Sequence, residues 1–114
     1  MIYLASPWSH PERSCRLRRY EDALAATVAL FRAGHDVFSP IVYSHPLHEA
    51  GLGGCWDTWQ RFDRRMIAAC SMVWVLAMDG WKESKGVNAE IDLAAEMGKP
   101  VRVLTLAEAL AGGG

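Results

Sequence analysis

The chain has 114 residues, 51% of them hydrophobic, and a formal net charge of −1. This length suits one domain with one core and leaves no room for a second domain. The near-zero charge gives no electrostatic reason to expect nucleic-acid or membrane binding, and no apolar run approaches the roughly 20 residues of a membrane span.

The amino-terminal segment predicts a strand followed by a long helix. Residues 2–5 are apolar and predict a buried, central first strand. Ser9 or His10 is positioned to cap a helix that begins at Pro11 and ends at Gly34. The apolar stripe predicted on this helix consists of Leu17, Tyr20, Leu24, Val28 and Phe31.

The middle of the chain predicts a short strand, a loop and a second helix. Residues 36–39 predict the strand, which Pro40 ends. Residues 41–54 contain three Gly and two His and predict a long loop, of the kind that often serves as a functional lid. Residues 56–69 predict the second helix.

The carboxyl-terminal segment predicts a strand, a helix and another strand. Residues 72–77 are almost unbroken apolar residues, as in a strand buried on both faces of a parallel sheet. Apolar residues recur at helical spacing from Val87 to Met97, and Gly98 ends that helix. The remaining predicted elements are a strand at 101–104, a helical turn at 106–111 and a frayed tail at 112–114.

Strands and helices alternate along the chain, which predicts an α/β fold. Right-handed crossovers should place helices on both faces of a parallel sheet, giving a flavodoxin-like three-layer sandwich. We expect four to five strands in the order 2-1-3-4, within a single domain spanning residues 1–111. Ligands of such folds bind beyond the carboxyl ends of the strands.

Glu90 lies about one turn into the helix that follows the third predicted strand. It can therefore face the crevice at the sheet edge while Ile91 and Ala94 face the sheet. An early-helix acid is also favoured by the helix dipole alone, by about 0.3–1 kcal/mol. Position by itself thus allows both a catalytic and a merely structural carboxylate.

Several short motifs, in a fixed order, carry a resemblance to a known family. They are Tyr3-Leu4-Ala5-Ser6-Pro7, Asp63 on the second helix, Ser84-Lys85-Gly86-Val87-Asn88-Ala89-Glu90, and Gly98-Lys99-Pro100. Together they resemble the nucleoside 2-deoxyribosyltransferase-like superfamily over the whole chain, with the closest similarity to a small branch of it.

The resemblance implies a role for three residues. Glu90 matches the family's nucleophile, which attacks the anomeric carbon of a nucleoside sugar. Asp63 matches the acid that handles the departing base, and Tyr3 matches the tyrosine that orients the nucleophile. The implied reaction is cleavage or transfer at an N-glycosidic bond through a covalent glycosyl ester, without metal or organic cofactor.

Ser84 departs from the family's pattern, since transferases usually carry aspartate six residues before the nucleophile. A similar serine occurs in relatives that hydrolyse nucleoside 5′-monophosphates. Aspartate would repel a 5′-phosphate, whereas a hydroxyl beside the amides of a helix start can donate to it. We therefore expect a nucleotide substrate, bound by Ser84, Gly86 and Ser6, although Ser84 can equally be an ordinary loop residue.

Other side chains near the predicted crevice are further candidates for substrate binding. Arg13 can contact a 5′-phosphate or belong to a solvated helix face. Trp8 and Trp81 can stack on a base. His45 and His48 lack a third ligand at suitable spacing, which argues against a metal site.

The cysteines and tryptophans suggest compartment and assembly. Three cysteines without CxxC spacing favour reduced thiols in a cytoplasmic protein, and no leader precedes the first strand. Five tryptophans in so short a chain favour a homodimer or larger, with the helix around Trp56 and Trp59 at the contact. A non-catalytic nucleotide-binding or sensor module and a purely structural protein are the alternatives to an enzyme.

Overall fold

The computed structural model of the protein describes residues 1–53 and 56–114, with Trp56 described by its backbone only. Within them, four parallel strands form one sheet in the order β2-β1-β3-β4. The predicted flavodoxin-like α/β architecture and strand order are confirmed. The strands are β1 (Ile2–Ala5), β2 (Val37–Phe38), β3 (Met72–Leu76) and β4 (Val101–Leu104).

Helices cover both faces of the sheet. Their bounds are α1 (Arg13–Arg32), α2 (Pro40–Glu49), α3 (Trp56–Ala69), α4 (Lys85–Glu96) and α5 (Leu106–Leu110). Helices α1 and α5 pack against each other and, through Leu30 and Ala109, against one face. Helices α3 and α4 cover the opposite face, while α2 contacts α1 and β1. No helix of the described residues is both long and apolar enough to span a membrane.

Strand β1 contributes to both halves of the core because successive side chains of a strand point to opposite faces. Ile2 and Leu4 belong to the cluster under α1 and α5. Tyr3 and Ala5 belong to the cluster under α3 and α4. This alternation directs the Tyr3 ring toward the two helices that carry Asp63 and Glu90.

The prediction of a loop over residues 41–54 was wrong for most of its length. Residues 40–49 form helix α2. Ser39 caps its start by accepting a hydrogen bond from Val42 N at 3.2 Å, and Pro40 occupies the first helical position, where its missing N–H costs nothing. The glycines that suggested a loop come after the helix has ended, and Gly54 lies outside the described residues.

The apolar stripe predicted on the first helix was also wrong. The helix begins at Arg13 with Glu12 as its cap residue, and it buries Ala23, Ala26 and Leu30. Three members of the predicted stripe are solvent-exposed instead: Leu24 at 38%, Val28 at 41% and Phe31 at 66%. Small alanines allow the helix backbone to approach the sheet closely, so the larger side chains occupy the neighbouring, outward stripe.

The last residues are not a frayed tail. Arg102 donates to Gly113 O at 2.7 Å, and His35 Nε2 lies 3.2 Å from Gly112 O. A Cβ on Gly113 would lie 2.8 Å from atoms of both Leu30 and Trp74, and its φ of +73° suits glycine. The backbone after α5 therefore packs against the core, and only glycine fits there without displacing those side chains.

Candidate active site

A cavity of about 640 Å³ opens at the carboxyl edge of the sheet. It lies where the loops after β1 and β3 meet α1, α2, α3 and α4, which is where ligands bind in open parallel sheets. Its wall consists of Ser6, Trp8, Ser9, His10, Arg19, Pro40, Ile41, Ser44, His48, Trp59, Asp63, Gly80, Glu83, Ser84, Lys85, Gly86 and Glu90.

Glu90 lies on the cavity floor, with Tyr3 buried beneath it. Glu90 lines the cavity but is only 4% exposed, and Tyr3 beneath it is fully buried. The Tyr3 hydroxyl donates a short hydrogen bond to Glu90 Oε2. This contact joins residues that are 87 positions apart in the sequence, and it places the two side chains as the family resemblance implies.

Asp63 supplies a second carboxylate to the same floor. It projects from α3, lines the cavity and is 6% exposed. Its negative charge raises the pKa of Glu90 and of Tyr3, so the three groups are electrostatically coupled. The sheet and two helices thus bring together all three residues that were expected to be catalytic.

Burial shifts the proton affinity of each of these groups. Burial, opposed by the Tyr3 hydrogen bond and reinforced by Asp63, raises the pKa of Glu90 to about 8. Burial raises the pKa of Asp63 to about 6, although the neighbouring Tyr3 hydroxyl lowers it. The pKa of Tyr3 is raised far above its usual value by burial and by both carboxylates, so the phenol stays protonated. Near neutral pH the two carboxyl groups therefore hold about one proton between them.

Ser6 provides an unsatisfied polar group beside the carboxylates. It follows β1, lines the cavity and is 3% exposed. Its Oγ has no hydrogen-bond partner within the described part of the chain. A buried hydroxyl without a partner costs about 1–3 kcal/mol, which a polar group of a ligand in the cavity would offset.

The start of α4 forms one side of the cavity. Ser84 is the cap residue, and its Oγ accepts from Val87 N at 3.2 Å. The first backbone hydrogen bond of the helix runs from Asn88 N to Ser84 O. The backbone amides of Lys85 and Gly86 come before it and are therefore free to donate to a ligand. A Cβ on Gly86 would meet only Ser84 Oγ, at 3.9 Å, so the protein itself does not require glycine there. The arrangement leaves backbone donors open to an anion at a positive helix end.

The arginine in the cavity wall is not the one that the sequence suggested. Arg13 does not line the cavity; its side chain is 64% exposed and pairs with Glu49 at 3.2 Å. Arg19, two turns further along α1, does line it. Arg19 donates to Ser9 O at 2.8 Å and to Asp79 O at 3.1 Å, which links the loops after β1 and β3. Arg19 and Arg13 belong to the same arginine-rich segment at the start of α1, and no local pattern in the sequence separates them.

Two tryptophans give the cavity an aromatic wall. Trp8 lines it as expected, and Trp59, expected at a subunit contact, lines it too. Trp81 does not line this cavity; it is half-buried and packs against the core under α3 and α4. Indole faces suit stacking on a planar heterocycle.

The histidines of α2 are not arranged as a metal site. His45 is 4% exposed and accepts a hydrogen bond from Trp8 Nε1 at 3.0 Å, whereas His48 is exposed at the cavity rim. Across residues 1–53 and 56–114, no group of three or more His, Cys, Asp or Glu side chains is placed to hold a metal ion. Among the cysteines, Cys15 and Cys70 are free thiols, and Cys55 lies outside the described residues.

Fold and site together define a flavodoxin-like α/β protein with two buried carboxyl groups at the floor of a cavity. Residues 1–106 match the family described as a domain of unknown function, DUF1937, and the chain belongs to this family. A comparison with curated proteins found no match. The family description assigns no activity.

Proposed function

We propose that this protein cleaves or transfers the N-glycosidic bond of a (deoxy)nucleoside 5′-monophosphate or nucleoside through a covalent glycosyl ester on Glu90. The observation that carries the proposal is the pair of buried carboxyl groups, Glu90 and Asp63, coupled to the Tyr3 hydroxyl at the cavity floor. Paired carboxylates are the catalytic groups of retaining glycosidases.

In the first step, Glu90 attacks the anomeric carbon from the face opposite the base. The glycosidic bond electrons leave with the base nitrogen, which takes a proton from Asp63. In the second step, water gives up a proton to Asp63 and attacks the same carbon, and the ester bond electrons return to Glu90. A second free base in place of water gives transfer instead of hydrolysis.

The reactive protonation state has one proton on the carboxyl pair, carried by Asp63. With pKa values of about 6 and about 8, the pair holds one proton between those limits, and in the empty cavity this proton lies mainly on Glu90, the group with the higher pKa. Substrate binding has to favour its transfer to Asp63. Below about pH 6 both carboxyl groups are protonated, so Glu90 cannot attack; above about pH 8 both are ionised, so Asp63 has no proton to give. The specificity constant should therefore follow a bell-shaped pH profile with its maximum near pH 7.

Tyr3→Phe should move this profile to higher pH. The Tyr3 hydroxyl lowers the pKa of Glu90, to which it donates, and of the neighbouring Asp63, so its loss should raise both values. We expect both limbs to shift upward and the maximum kcat/KM to fall about tenfold, as for one lost hydrogen bond to a charged group. The measurement is kcat/KM against pH. Tyr43→Phe is the matched control, because Tyr43 is exposed and stacks on Phe62 outside the cavity wall; unchanged limbs in Tyr3→Phe would contradict the assignment.

A 5′-phosphate is supported by the polar side of the cavity. Arg19, Lys85 and the available amides at the start of α4 offer positive charge and donors, and the Ser84 hydroxyl can donate as well. Glu83 lies in the same wall and opposes them. Trp8 and Trp59 would then contact the base, and Ser6 Oγ a sugar hydroxyl.

The proposal is tested by incubating the protein with a panel of nucleosides and 5′-monophosphates, with and without a second free base. Release of free base with a sugar phosphate identifies a hydrolase, and appearance of a new nucleotide identifies a transferase. A covalent adduct on Glu90, detected by mass spectrometry, would support the ester. Absence of both products across the panel would reject the proposal.

A non-catalytic nucleotide-binding or sensor module is the second candidate. One observation favours it: the raised pKa leaves Glu90 mostly protonated in the empty cavity at neutral pH. Calorimetry distinguishes the two, because a sensor would bind a 5′-monophosphate and leave it intact.

We further propose a cytoplasmic homo-oligomer. Trp59, which was expected at the contact through α3, lines the cavity instead. The prediction for the Trp56 side chain lies outside the described residues. The exposed stripe Leu24, Val28 and Phe31 offers an apolar surface instead.

Light scattering at micromolar concentration should give at least a dimer mass. Phe31→Asp should reduce this to the monomer mass without unfolding the chain, because Phe31 is 66% exposed. A monomeric wild-type protein would reject self-association.

A further inference from the structure

The wall residue Trp8 is held from behind by His45. Trp8 Nε1 donates to His45 Nδ1 at 3.0 Å, and His45, 4% exposed, is not part of the cavity wall itself. The Tyr20 ring stacks on the imidazole with centroids 4.2 Å apart and 18° between planes. These contacts fix the imidazole, and through it one end of the indole.

The hydrogen bond also fixes the tautomer of His45. An indole N–H only donates, so His45 Nδ1 has to be unprotonated and the ring proton sits on Nε2. His45 Nε2 faces Glu49 Oε1 at 3.7 Å, and the other oxygen of Glu49 accepts from Arg13. A chain of polar contacts thus connects the cavity wall to the surface of α1.

We propose that His45 is a positioning residue that sets the orientation of Trp8 and so controls the binding of the base of the glycosyl donor. The inference rests on the proposed function for its substrate, but the contact between the two side chains stands independently of it. Because His45 does not touch the carboxyl groups of the floor, its effect should fall on KM and leave kcat unchanged.

Protonation of His45 should release Trp8, since imidazolium has no free acceptor at Nδ1. Burial lowers the pKa of His45, and the nearby charges of His48, Arg13 and Arg16 lower it further, while Glu49 opposes them. The hydrogen bond from Trp8 is therefore present at neutral pH. We expect it to be lost only in acid, below the usual pKa range of histidine.

The first test follows the indole N–H resonance of Trp8 by ¹H–¹⁵N NMR of the whole protein, without substrate. The chain has five tryptophans, and Trp8→Phe identifies the Trp8 signal by its absence. In the wild type this signal should shift on acidification together with the ring signals of His45. A Trp8 signal that does not follow the titration of His45 would overturn the proposal.

The second test compares two replacements of His45. His45→Phe keeps a ring against Tyr20 but removes the acceptor of the Trp8 N–H. In His45→Asn, the side-chain oxygen of asparagine can accept in place of Nδ1. We expect His45→Phe to move the Trp8 signal and to raise KM about threefold to tenfold at constant kcat, the size of effect of one neutral hydrogen bond. His45→Asn should return both the Trp8 signal and KM towards their wild-type values.

A double-mutant cycle separates positioning from general structural damage. In a Trp8→Phe background, His45→Phe should have no further effect on KM, because its effect passes through the indole. An equal rise in KM on His45→Phe with Trp8 and with Phe at position 8 would overturn the proposal. Should no glycosyl donor react, the NMR signal and its shift on titration with a 5′-monophosphate still decide the role of His45, and the missing turnover counts against the proposed function alone.

Discussion

Glu90→Gln is expected to lower the rate of glycosidic cleavage by about 10⁴-fold or more, the scale on which enzymes lose activity without their nucleophile. Glutamine has nearly the same shape, and its amide oxygen can still accept from the Tyr3 hydroxyl. The geometry of the floor should therefore survive while the nucleophile is lost. The measurement is single-turnover base release together with mass spectrometry of the covalent adduct, which should disappear.

The same substitution should stabilise the fold in alkaline solution. Because the folded-state pKa of Glu90 is raised to about 8, its stabilising contribution is fully present below the unfolded value near 4.5 and is lost as pH rises through about 8. Glutamine is neutral throughout and removes this loss. One pKa unit corresponds to about 1.4 kcal/mol, so even half of the shift would make the variant more stable by about 2 kcal/mol above pH 8.

Urea unfolding at pH 5 and pH 9 checks this expectation. The two proteins should have similar free energies of unfolding at the lower pH, and Glu90→Gln should be the more stable at the higher pH. Glu96→Gln is the matched control on the same helix, because Glu96 is 61% exposed in its pair with Arg64. A Glu90→Gln protein that kept its activity, or that lost stability at both pH values, would show that Glu90 is a structural acid.

Ser84→Asp should weaken the use of nucleoside 5′-monophosphates selectively. The variant should fold, because aspartate caps a helix as well as serine does and can accept from Val87 N in the same way. It would, however, place a negative charge where the proposed 5′-phosphate binds. Loss of one charge-assisted hydrogen bond costs about 1.5–3 kcal/mol, or roughly a tenfold to hundredfold fall in kcat/KM for the nucleotide.

Free nucleosides provide the internal comparison for this variant. Their kcat/KM should be spared or improved by Ser84→Asp, since they carry no phosphate to repel. Ser84→Asn caps the helix without a charge and so separates the effect of charge from that of size. Its kcat/KM for the nucleotide should lie between the values of the wild type and of Ser84→Asp. Equal use of both donors by the wild-type protein, with no selective effect of Ser84→Asp, would leave Ser84 as a helix cap alone.

Local patterns were sufficient for the helix that carries Glu90 and for the strand that precedes it. The buried run that became β3 and the helical spacing after Val87 each depend on neighbours within a few residues, so β3 and α4 were predicted nearly to their bounds. The same patterns failed for α2, where Pro46 and the glycines beyond the helix end concealed a capped helix. The motif order, through the family resemblance, then identified Tyr3, Asp63 and Glu90 before their proximity was known.

The sequence by itself determined the α/β class and the strand order, because the alternating periods of strands and helices are written along the chain. It suggested the three residues around the cavity floor only through motifs that resemble a known family. Only the tertiary structure decided which face of α1 is buried, since its adjacent stripes are both apolar and only the fit of small alanines against the sheet separates them. It also decided that Arg19 and not Arg13 lines the cavity, and that His45 stands behind Trp8. These choices depend on distances between residues remote in the sequence, which packing sets and no local pattern records.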